Sequence, residues 1–209
     1  MRTLRGNMAD YRRCYVPGGS FFFTVVTERW AAILGNDLAR NLLRAAFRDC
    51  RQRWPFRVDA LVMLPDHLHA IWTLPPDDAD YSKRWGAIKK HFTQSWLAAG
   101  GNEQPLTDSR HRYRRRGVWQ RRFWEHAIRD QRDCNIHCDY LHYNPVKHGH
   151  VTRVADWPYS SFHRFVENGT YPPDWAGDPE TIEATGFGNN VGQRCAFARP
   201  TKRTIWNLV

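Results

Sequence analysis

Two histidines separated by one residue, His67 and His69, are the first candidates for chemistry in this sequence. They follow an apolar run over residues 58–64 that is typical of a buried strand. Alternate side chains of a strand share a face, so the two imidazoles would lie side by side while Leu68 turns into the core. Such a pair can supply two ligands to one divalent metal ion, or it can simply face water at a strand end.

A tyrosine and an asparagine on a predicted helix are the second set of candidates. Tyr140 and Asn144 are four residues apart and share a helix face, with His137 close to the same stripe. A helix packed on the sheet could aim Tyr140 at a metal held by the histidine pair, with Asn144 or a water completing the coordination. A metal that polarises a phosphate would offset the weak nucleophilicity of a phenol whose pKa is about 10. The alternative is that Tyr140 is a core residue and Asn144 only ends the helix.

The net charge of +10 is concentrated in one part of the chain. Residues 83–122 contain eleven Lys or Arg and two acidic residues, interleaved with aromatic side chains. Cations for phosphates beside rings for bases are typical of a surface that binds single-stranded or hairpin nucleic acid. The candidate nucleic-acid-binding residues are Lys83, Arg84, Lys89, Lys90, Arg112, Arg114, Arg115, Arg116, Arg121 and Arg122.

The elements that must position these residues follow from periodicity and turn signals. Strands are predicted over residues 20–27, 57–64, 67–74 and 118–128. Helices are predicted over residues 38–54, 80–99 and 130–144, with Pro145 ending the last one. This order, β-α-β-β-α-β followed by a helix, predicts an α+β ferredoxin-like sandwich with an antiparallel sheet and a C-terminal helix that carries Tyr140.

One folded domain followed by a C-terminal tail is expected. Residues 1–166 form the folded domain, in which residues 156–162 pack back on the core. Residues 167–209 are rich in Gly, Pro and Asn and form a loosely packed or disordered tail.

Composition also bears on the compartment. The five cysteines are an odd number without a paired framework, which indicates a reduced cytosolic setting. A zinc site at Cys134, His137 and Cys138 is conceivable, but buried or half-buried small residues are the favoured interpretation of this spacing. No apolar run approaches the roughly 18 residues of a membrane span, and the N-terminus lacks the apolar stretch of a signal peptide. We therefore expect a cytoplasmic, nucleoid-associated protein without a membrane partner.

Four motifs occur together in a fixed order: PDHLHAIWTLP, RRFWEHAIRD, YLHYNPVKHG and WPYSSF. In this combination the chain resembles the REP-associated tyrosine transposases, relatives of the single-tyrosine HUH transposases, over residues 11–165. The resemblance implies a ferredoxin-like nuclease that recognises palindromic hairpins in single-stranded DNA. It implies Mg²⁺ or Mn²⁺ held by His67 and His69, with Tyr140 as the nucleophile. Asn144 stands where the wider superfamily places a polar metal ligand.

The predicted reaction is metal-dependent cleavage and joining of DNA strands through a 5′-phosphotyrosine. Tyr143 is an alternative nucleophile, but it lies about 100° around the helix from Asn144. Proton transfer could involve His126, His137 or His142. The chain is expected to act as a monomer or a homodimer, since many single-tyrosine relatives exchange the tyrosine helix between subunits.

Three other functions are compatible with parts of the sequence. A domesticated hairpin-binding protein without cleavage activity would share the basic and aromatic residues, although it would have no use for His67, His69 and Tyr140 together. An RNA-binding module of the same fold would place its aromatic residues on the sheet. A metal-dependent hydrolase would need a carboxylate-rich site, and Asp66 is the only acid beside the histidine pair.

Overall fold

The computed structural model describes residues 13–108, 112, 113 and 115–177. The strands and main helices are, in chain order, β1 (Ser20–Val26), α1 (Asp37–Arg53), β2 (Arg57–Met63), β3 (His67–Thr73), α2 (Tyr81–Ala98), β4 (Trp124–Ala127), α3 (Gln131–Lys147) and α4 (Phe162–Glu167). None of the helices in these residues is long and apolar enough to cross a membrane. Arg114 and the predicted tail beyond residue 177 lie outside the described residues.

The four strands form one antiparallel sheet in the order β2-β3-β1-β4. This arrangement confirms the predicted α+β ferredoxin-like architecture. β2 and β3 form a hairpin, and helical crossovers connect β1 to β2 through α1 and β3 to β4 through α2. β1 and β3 occupy the centre. A central strand has both edges paired, so its register, and with it the face on which each side chain lies, is determined from two sides.

The two faces of the sheet are covered by different helices. α1 and α2 pack on one face, over a core that includes Phe21, Phe23, Leu68 and Trp72. α3 packs on the opposite face, where its Leu141 lies in a second apolar cluster with strand residues such as Phe22 and Ile71. Every second residue of β3 therefore points towards α3, as the period of a strand requires.

Element boundaries agree with the predictions to within one residue, except at β4 and α3. β4 covers only Trp124–Ala127, and upstream of it Trp119 makes an isolated bridge to Thr27. α3 continues through Pro145 to Lys147. A proline near the C-terminal end removes a single intrahelical hydrogen bond, and the helix ends instead before Gly149, whose φ of +70° suits a helix terminus.

The segment after α3 returns to the edge of the sheet, as predicted. Ser160 makes a bridge to Val62 of β2, and the indole nitrogen of Trp157 donates to the carbonyl oxygen of Met63 at 3.0 Å. Beyond α4, Tyr171 packs against Phe165 with ring centres 5.5 Å apart. The division into a domain over residues 1–166 and a separate tail stays a prediction.

His142 connects α3 to this returning segment and makes the fold sensitive to pH. Its ring is fully buried, with Nε2 2.9 Å from Ser161 Oγ, and burial lowers the pKa of His142 to about 3. The unfolded chain takes up a proton near the ordinary pKa of about 6.5, whereas the folded chain does not until the pH approaches 3. The folded state therefore loses stability as the pH falls through this window.

We expect His142→Gln to reduce this acid sensitivity. The free energy of unfolding of the wild type should fall between about pH 6 and 4 with a contribution from His142 of roughly 1.4 kcal/mol per pH unit, and the variant should lack that contribution. Urea unfolding at several pH values measures the slopes. Replacing the exposed His150 by glutamine is the matched control and should keep the wild-type slope. Equal slopes for the wild type and His142→Gln would contradict the assignment.

Candidate active site

The histidine pair lies on β3, on the face covered by α3. His67 and His69 are each only 3% exposed, their ring centres are 4.9 Å apart, and Leu68 between them is fully buried in the opposite core. The predicted side-by-side arrangement is therefore present. Two buried imidazoles in contact are not a pair at a solvent-facing strand end, so the simpler of the two sequence interpretations does not describe them.

The Nδ1 atom of each histidine ring lies within hydrogen-bond distance of a neighbouring side chain. His67 Nδ1 lies 2.6 Å from Asp66 Oδ1, and His69 Nδ1 lies 2.9 Å from Thr24 Oγ1 on the neighbouring strand. These partners engage Nδ1 of both rings and leave Nε2 as the nitrogen for a ligand. His69 Nε2 is buried without a hydrogen-bond partner, and burial lowers the pKa of His69 well below its ordinary value. A neutral imidazole in the tautomer that donates from Nδ1 to Thr24 would have its Nε2 lone pair available for metal coordination.

Tyr140 on α3 contacts this pair from above the sheet. Its ring centre is 5.4 Å from that of His69, and the Lys147 Nζ lies 4.9 Å from the Tyr140 ring centre. Burial raises the pKa of Tyr140 above its ordinary value, partly offset by the nearby Asn144 amide. The phenol is therefore protonated at neutral pH. A nucleophilic role would require a group that removes its proton or stabilises its anion.

Asn144, one turn after Tyr140, is fully buried and carries an amide of which neither atom makes a hydrogen bond among the described residues. The amide lies close enough to influence the pKa values of both His69 and Tyr140, so it faces both side chains. A buried amide without partners is costly. Together with His69 Nε2 it forms a set of nitrogen and oxygen donors that fits a divalent cation.

Two further residues of the YLHYNPVKHG motif, for which no role is predicted from the sequence, reach the same site. Lys147 lies against Tyr140, and the His148 ring centre is 5.2 Å from that of His67. They follow Tyr140 by seven and eight residues, which is two helical turns and returns to the same face. This spacing is the feature of the sequence from which their position beside Tyr140 could have been predicted. His142, a suggested proton carrier, instead contacts Ser161 and Tyr171 away from the histidine pair.

A second group of potential metal ligands lies beside the first. His126, Asp133 and His137 bring one ligand atom each within 4.8 Å of one another. Phe22 separates the two groups, with its ring centre 5.0 Å from His137 and 5.3 Å from His69. Cys134 and Cys138 do not join any group of three ligands in the described part of the chain, so the conceivable Cys-His-Cys zinc site is not formed.

The Asp133 carboxylate in this second group is already well satisfied. Its Oδ2 accepts from the backbone nitrogen and the Nε of Arg129 at 2.9 and 3.1 Å and lies 2.9 Å from His126 Nε2. A guanidinium at this carboxylate competes with a metal cation for the same oxygen atom. The arrangement can hold a metal, but it is equally complete as a network of hydrogen bonds around one carboxylate.

The predicted DNA-binding residues have very different environments. Arg84 is 1% exposed and binds Asp78 and three backbone carbonyl oxygens, so it stabilises the fold and cannot reach DNA at the surface. Lys89 donates to the carbonyl oxygen of Gln120 at 2.9 Å, and burial lowers its pKa to about 7. Arg116 forms a two-pronged ion pair with Glu103, and Arg115 is half-buried. Besides Arg116, the exposed members of the set in the described part of the chain are Lys83, Lys90, Arg112, Arg121 and Arg122.

Most aromatic residues interleaved with these cations belong to the core. Trp85, Phe92 and Trp119 are buried with the residues beneath α1 and α2. The sequence pattern could not distinguish an aromatic residue that packs in the core from one that is exposed and available to bind a ligand. Tyr113, which is 69% exposed, remains as an available ring in the described part of this region.

Comparison with known proteins identifies the family. The chain is 45% identical over 178 residues to the REP-associated tyrosine transposase of Escherichia coli strain K12, covering 85% of this chain and 96% of that protein. It is 43% identical over 173 residues to a Haemophilus influenzae protein described as a putative REP-associated tyrosine transposase, covering 83% and 96%. No family model matches the chain. The chain belongs to the REP-associated tyrosine transposases.

A solved structure supports the same assignment. A REP-associated tyrosine transposase bound to a REP hairpin superposes with a TM-score of 0.68 at 46% identity, covering 82% of this chain and 93% of the other. The resemblance stated from the four motifs is therefore confirmed, and with it the description as a transposase. The roles of individual residues in this transposase stay predictions.

We predict that the buried amide of Asn144 lowers the stability of the fold. Asn144→Leu replaces the unpaired amide with an apolar group of similar size and should raise the free energy of unfolding by about 1–3 kcal/mol without metal. Thermal unfolding in EDTA measures the change. Asn135→Leu, at an exposed position of the same helix, is the control and should leave the midpoint nearly unchanged. A destabilised Asn144→Leu protein would show that the amide has a structural partner.

Proposed function

We propose that this protein is a metal-dependent transesterase that cleaves and joins single-stranded DNA next to REP-like palindromic hairpins. The observation that carries the proposal is the contact of Tyr140 with His69, beside the buried amide of Asn144 that has no hydrogen-bond partner. The related transposase bound to a REP hairpin supports hairpin DNA as the substrate class. The family assignment supports a DNA-processing enzyme.

His67, His69 and Asn144 would hold the metal, which we infer to be Mg²⁺ or Mn²⁺. A bound divalent ion would supply Lewis-acid stabilisation of the negative charge that develops on the scissile phosphate. A site with two imidazole ligands suits Mn²⁺ better than Mg²⁺, because Mg²⁺ prefers sites in which most ligands are oxygen atoms. The His126, Asp133 and His137 group is the less suitable host because Arg129 already occupies its carboxylate.

Tyr140 would be the nucleophile. Its Oη attacks the phosphorus atom, the new P–Oη bond forms, and the bond between phosphorus and the 3′ oxygen breaks. The departing 3′ oxygen takes a proton and becomes a 3′-OH, while the downstream strand stays attached as a 5′-phosphotyrosine. A 3′-OH can reverse these steps, so strands are rejoined without a nucleotide cofactor.

The phenol must lose its proton during the attack, and burial opposes this because it raises the pKa of Tyr140. Lys147 is placed to help, since a cation 4.9 Å from the ring centre favours the phenolate electrostatically. It would also neutralise part of the charge of a phosphate that approaches Tyr140.

The first experiment tests for the covalent intermediate. We expect a single-stranded hairpin oligonucleotide with a 3′ label to form a labelled protein band on a denaturing gel in Mn²⁺, and no such band in EDTA. The same oligonucleotide with a 5′ label should give no band, because the upstream fragment leaves with a free 3′-OH. Tyr140→Phe should remove the band, and Tyr143→Phe on the same helix should retain it.

Two results would contradict the proposal. An adduct that survives in Tyr140→Phe would assign the nucleophile elsewhere. Tight binding of a verified cognate hairpin without any adduct would favour a hairpin-binding protein that does not cleave. His69→Ala and His137→Ala separate the two ligand groups, since only the first should abolish Mn²⁺-dependent adduct formation.

The exposed cations of residues 83–122 would bind the DNA backbone. For Arg121→Gln/Arg122→Gln we expect weaker hairpin binding and a slope of log K against log salt that is less steep by about 1–2, because each phosphate contact contributes roughly 0.7–0.9. Fluorescence anisotropy at several salt concentrations measures this slope. Arg153→Gln removes an exposed arginine that is paired with Asp156, and it should leave the slope unchanged. Equal slopes for all three proteins would exclude Arg121 and Arg122 from the interface.

A further inference from the structure

The turn after β1 contains two consecutive residues in the left-handed region. Arg29 and Trp30 have φ values of +54° and +56°, and neither is glycine. Side chains bearing a Cβ atom rarely adopt this conformation, and two in succession persist only where surrounding contacts hold them. Backbone strain of this kind is concentrated at functional sites. The side chains that this turn exposes are therefore candidates for a functional role.

Hydrogen bonds hold the turn tightly against the start of β3. Thr27 donates from its backbone nitrogen and from its hydroxyl to the carbonyl oxygen of Asp66, at 2.9 and 2.7 Å. The same hydroxyl lies 2.8 Å from the Ala31 carbonyl oxygen, and Glu28 donates its backbone N–H to Val118 at 2.9 Å. These bonds fix the start of the turn relative to Asp66, whose carboxylate oxygen lies 2.6 Å from His67 Nδ1.

The turn presents an exposed indole at the edge of the proposed metal site. Trp30 is 56% exposed, and its ring meets the His67 ring at 77° with centres 5.6 Å apart. Of the four large hydrophobic residues exposed in the described part of the chain, Trp30 is the one with a ring contact to the histidine pair. An indole that served only the core would be buried, whereas more than half of the Trp30 side chain is open to solvent.

The chemistry of an exposed indole beside a phosphate-binding centre indicates its ligand. Unpaired bases stack on aromatic rings in proteins that bind single-stranded nucleic acid, and the interaction tolerates any base because every base has a π face. The basic region offers few rings for this purpose, since Trp85, Phe92 and Trp119 are buried. Arg29, exposed at the same turn, adds a cation next to the indole.

We propose that Trp30 is a stacking platform for one unpaired base that flanks the scissile phosphate, with Arg29 beside it for the adjacent backbone phosphate. This rests on the proposed function, because His67 locates the reacting phosphate. Stacking would align the strand for attack by Tyr140. It would also require the flanking nucleotide to be unpaired, which selects the base of a hairpin over continuous duplex.

The test is a double-mutant cycle between Trp30 and the DNA. Binding is measured in the Tyr140→Phe background, on hairpin oligonucleotides with an abasic site placed in turn at each of the nucleotides flanking the cleavage position. With Trp30 present, one abasic position should weaken binding by roughly 5- to 100-fold, as expected for loss of one base–aromatic stack. Trp30→Ala should weaken binding of the intact oligonucleotide by a similar factor. The variant should bind the intact oligonucleotide and the one with that abasic site equally well. Trp30→Phe should restore most of the sensitivity.

Two controls separate stacking from folding. Trp30→Gly removes the ring but accepts the positive φ without strain, so it should unfold at a higher temperature than Trp30→Ala while showing the same binding defect. Leu38→Ala shortens an exposed hydrophobic side chain on the neighbouring helix α1 and should bind every oligonucleotide as the parent does.

The outcomes for the platform and for the proposed function are distinct. If wild-type protein forms the Tyr140 adduct but Trp30→Ala weakens binding equally with and without each base, the platform is wrong and the transesterase stands. If Trp30 couples to one base but no adduct forms, stacking stands and the cleavage chemistry is wrong. A Trp30→Ala protein that binds all oligonucleotides like its parent would also overturn the platform.

Discussion

The alternation of side chains along β3 is the constraint on which the site depends. β3 is hydrogen-bonded to β1 on one edge and β2 on the other, so slipping by one residue would break two ladders and bury the histidines beneath α1 and α2. Leu68 and Trp72 are committed to that core, which places His67 and His69 opposite α3. The register with β1 also pairs His69 with Thr24, the residue that holds its ring. The side-by-side placement of the two imidazoles is thus a consequence of core packing.

α3 places both apolar and polar side chains on the same face of the sheet. Leu141 serves the apolar cluster, whereas Tyr140 and Asn144 bury polar groups that a purely structural helix would replace with apolar ones. An amide that finds no partner destabilises the fold. Its position beside His69, whose Nε2 is also buried without a hydrogen-bond partner, is the kind of local inconsistency expected of a functional site. The neighbouring network around Asp133 shows the contrast, since there each carboxylate oxygen has a partner.

The basic region illustrates how burial changes the meaning of composition. Its eleven cations in forty residues indicate a nucleic-acid surface, but Arg84 is an internal clamp and Lys89 is bound to a backbone carbonyl. The aromatic residues divide in the same way, with most of them in the core. An exposed ring beside the catalytic candidates, Trp30, comes instead from a turn whose sequence, Glu-Arg-Trp, carries no glycine to signal its left-handed backbone.

The sequence by itself determined the element order, the antiparallel α+β class and the pairing of His67 with His69, because strand and helix periods are local properties of the chain. Motif order was also sufficient to identify the family. Only the tertiary structure decided which polar residues are buried without partners, which cations reach the surface, and that Lys147, His148 and Trp30 join the histidine pair. Those properties depend on contacts between residues far apart in the chain, and a positive φ or an unpaired amide arises only once the surrounding packing holds it in place.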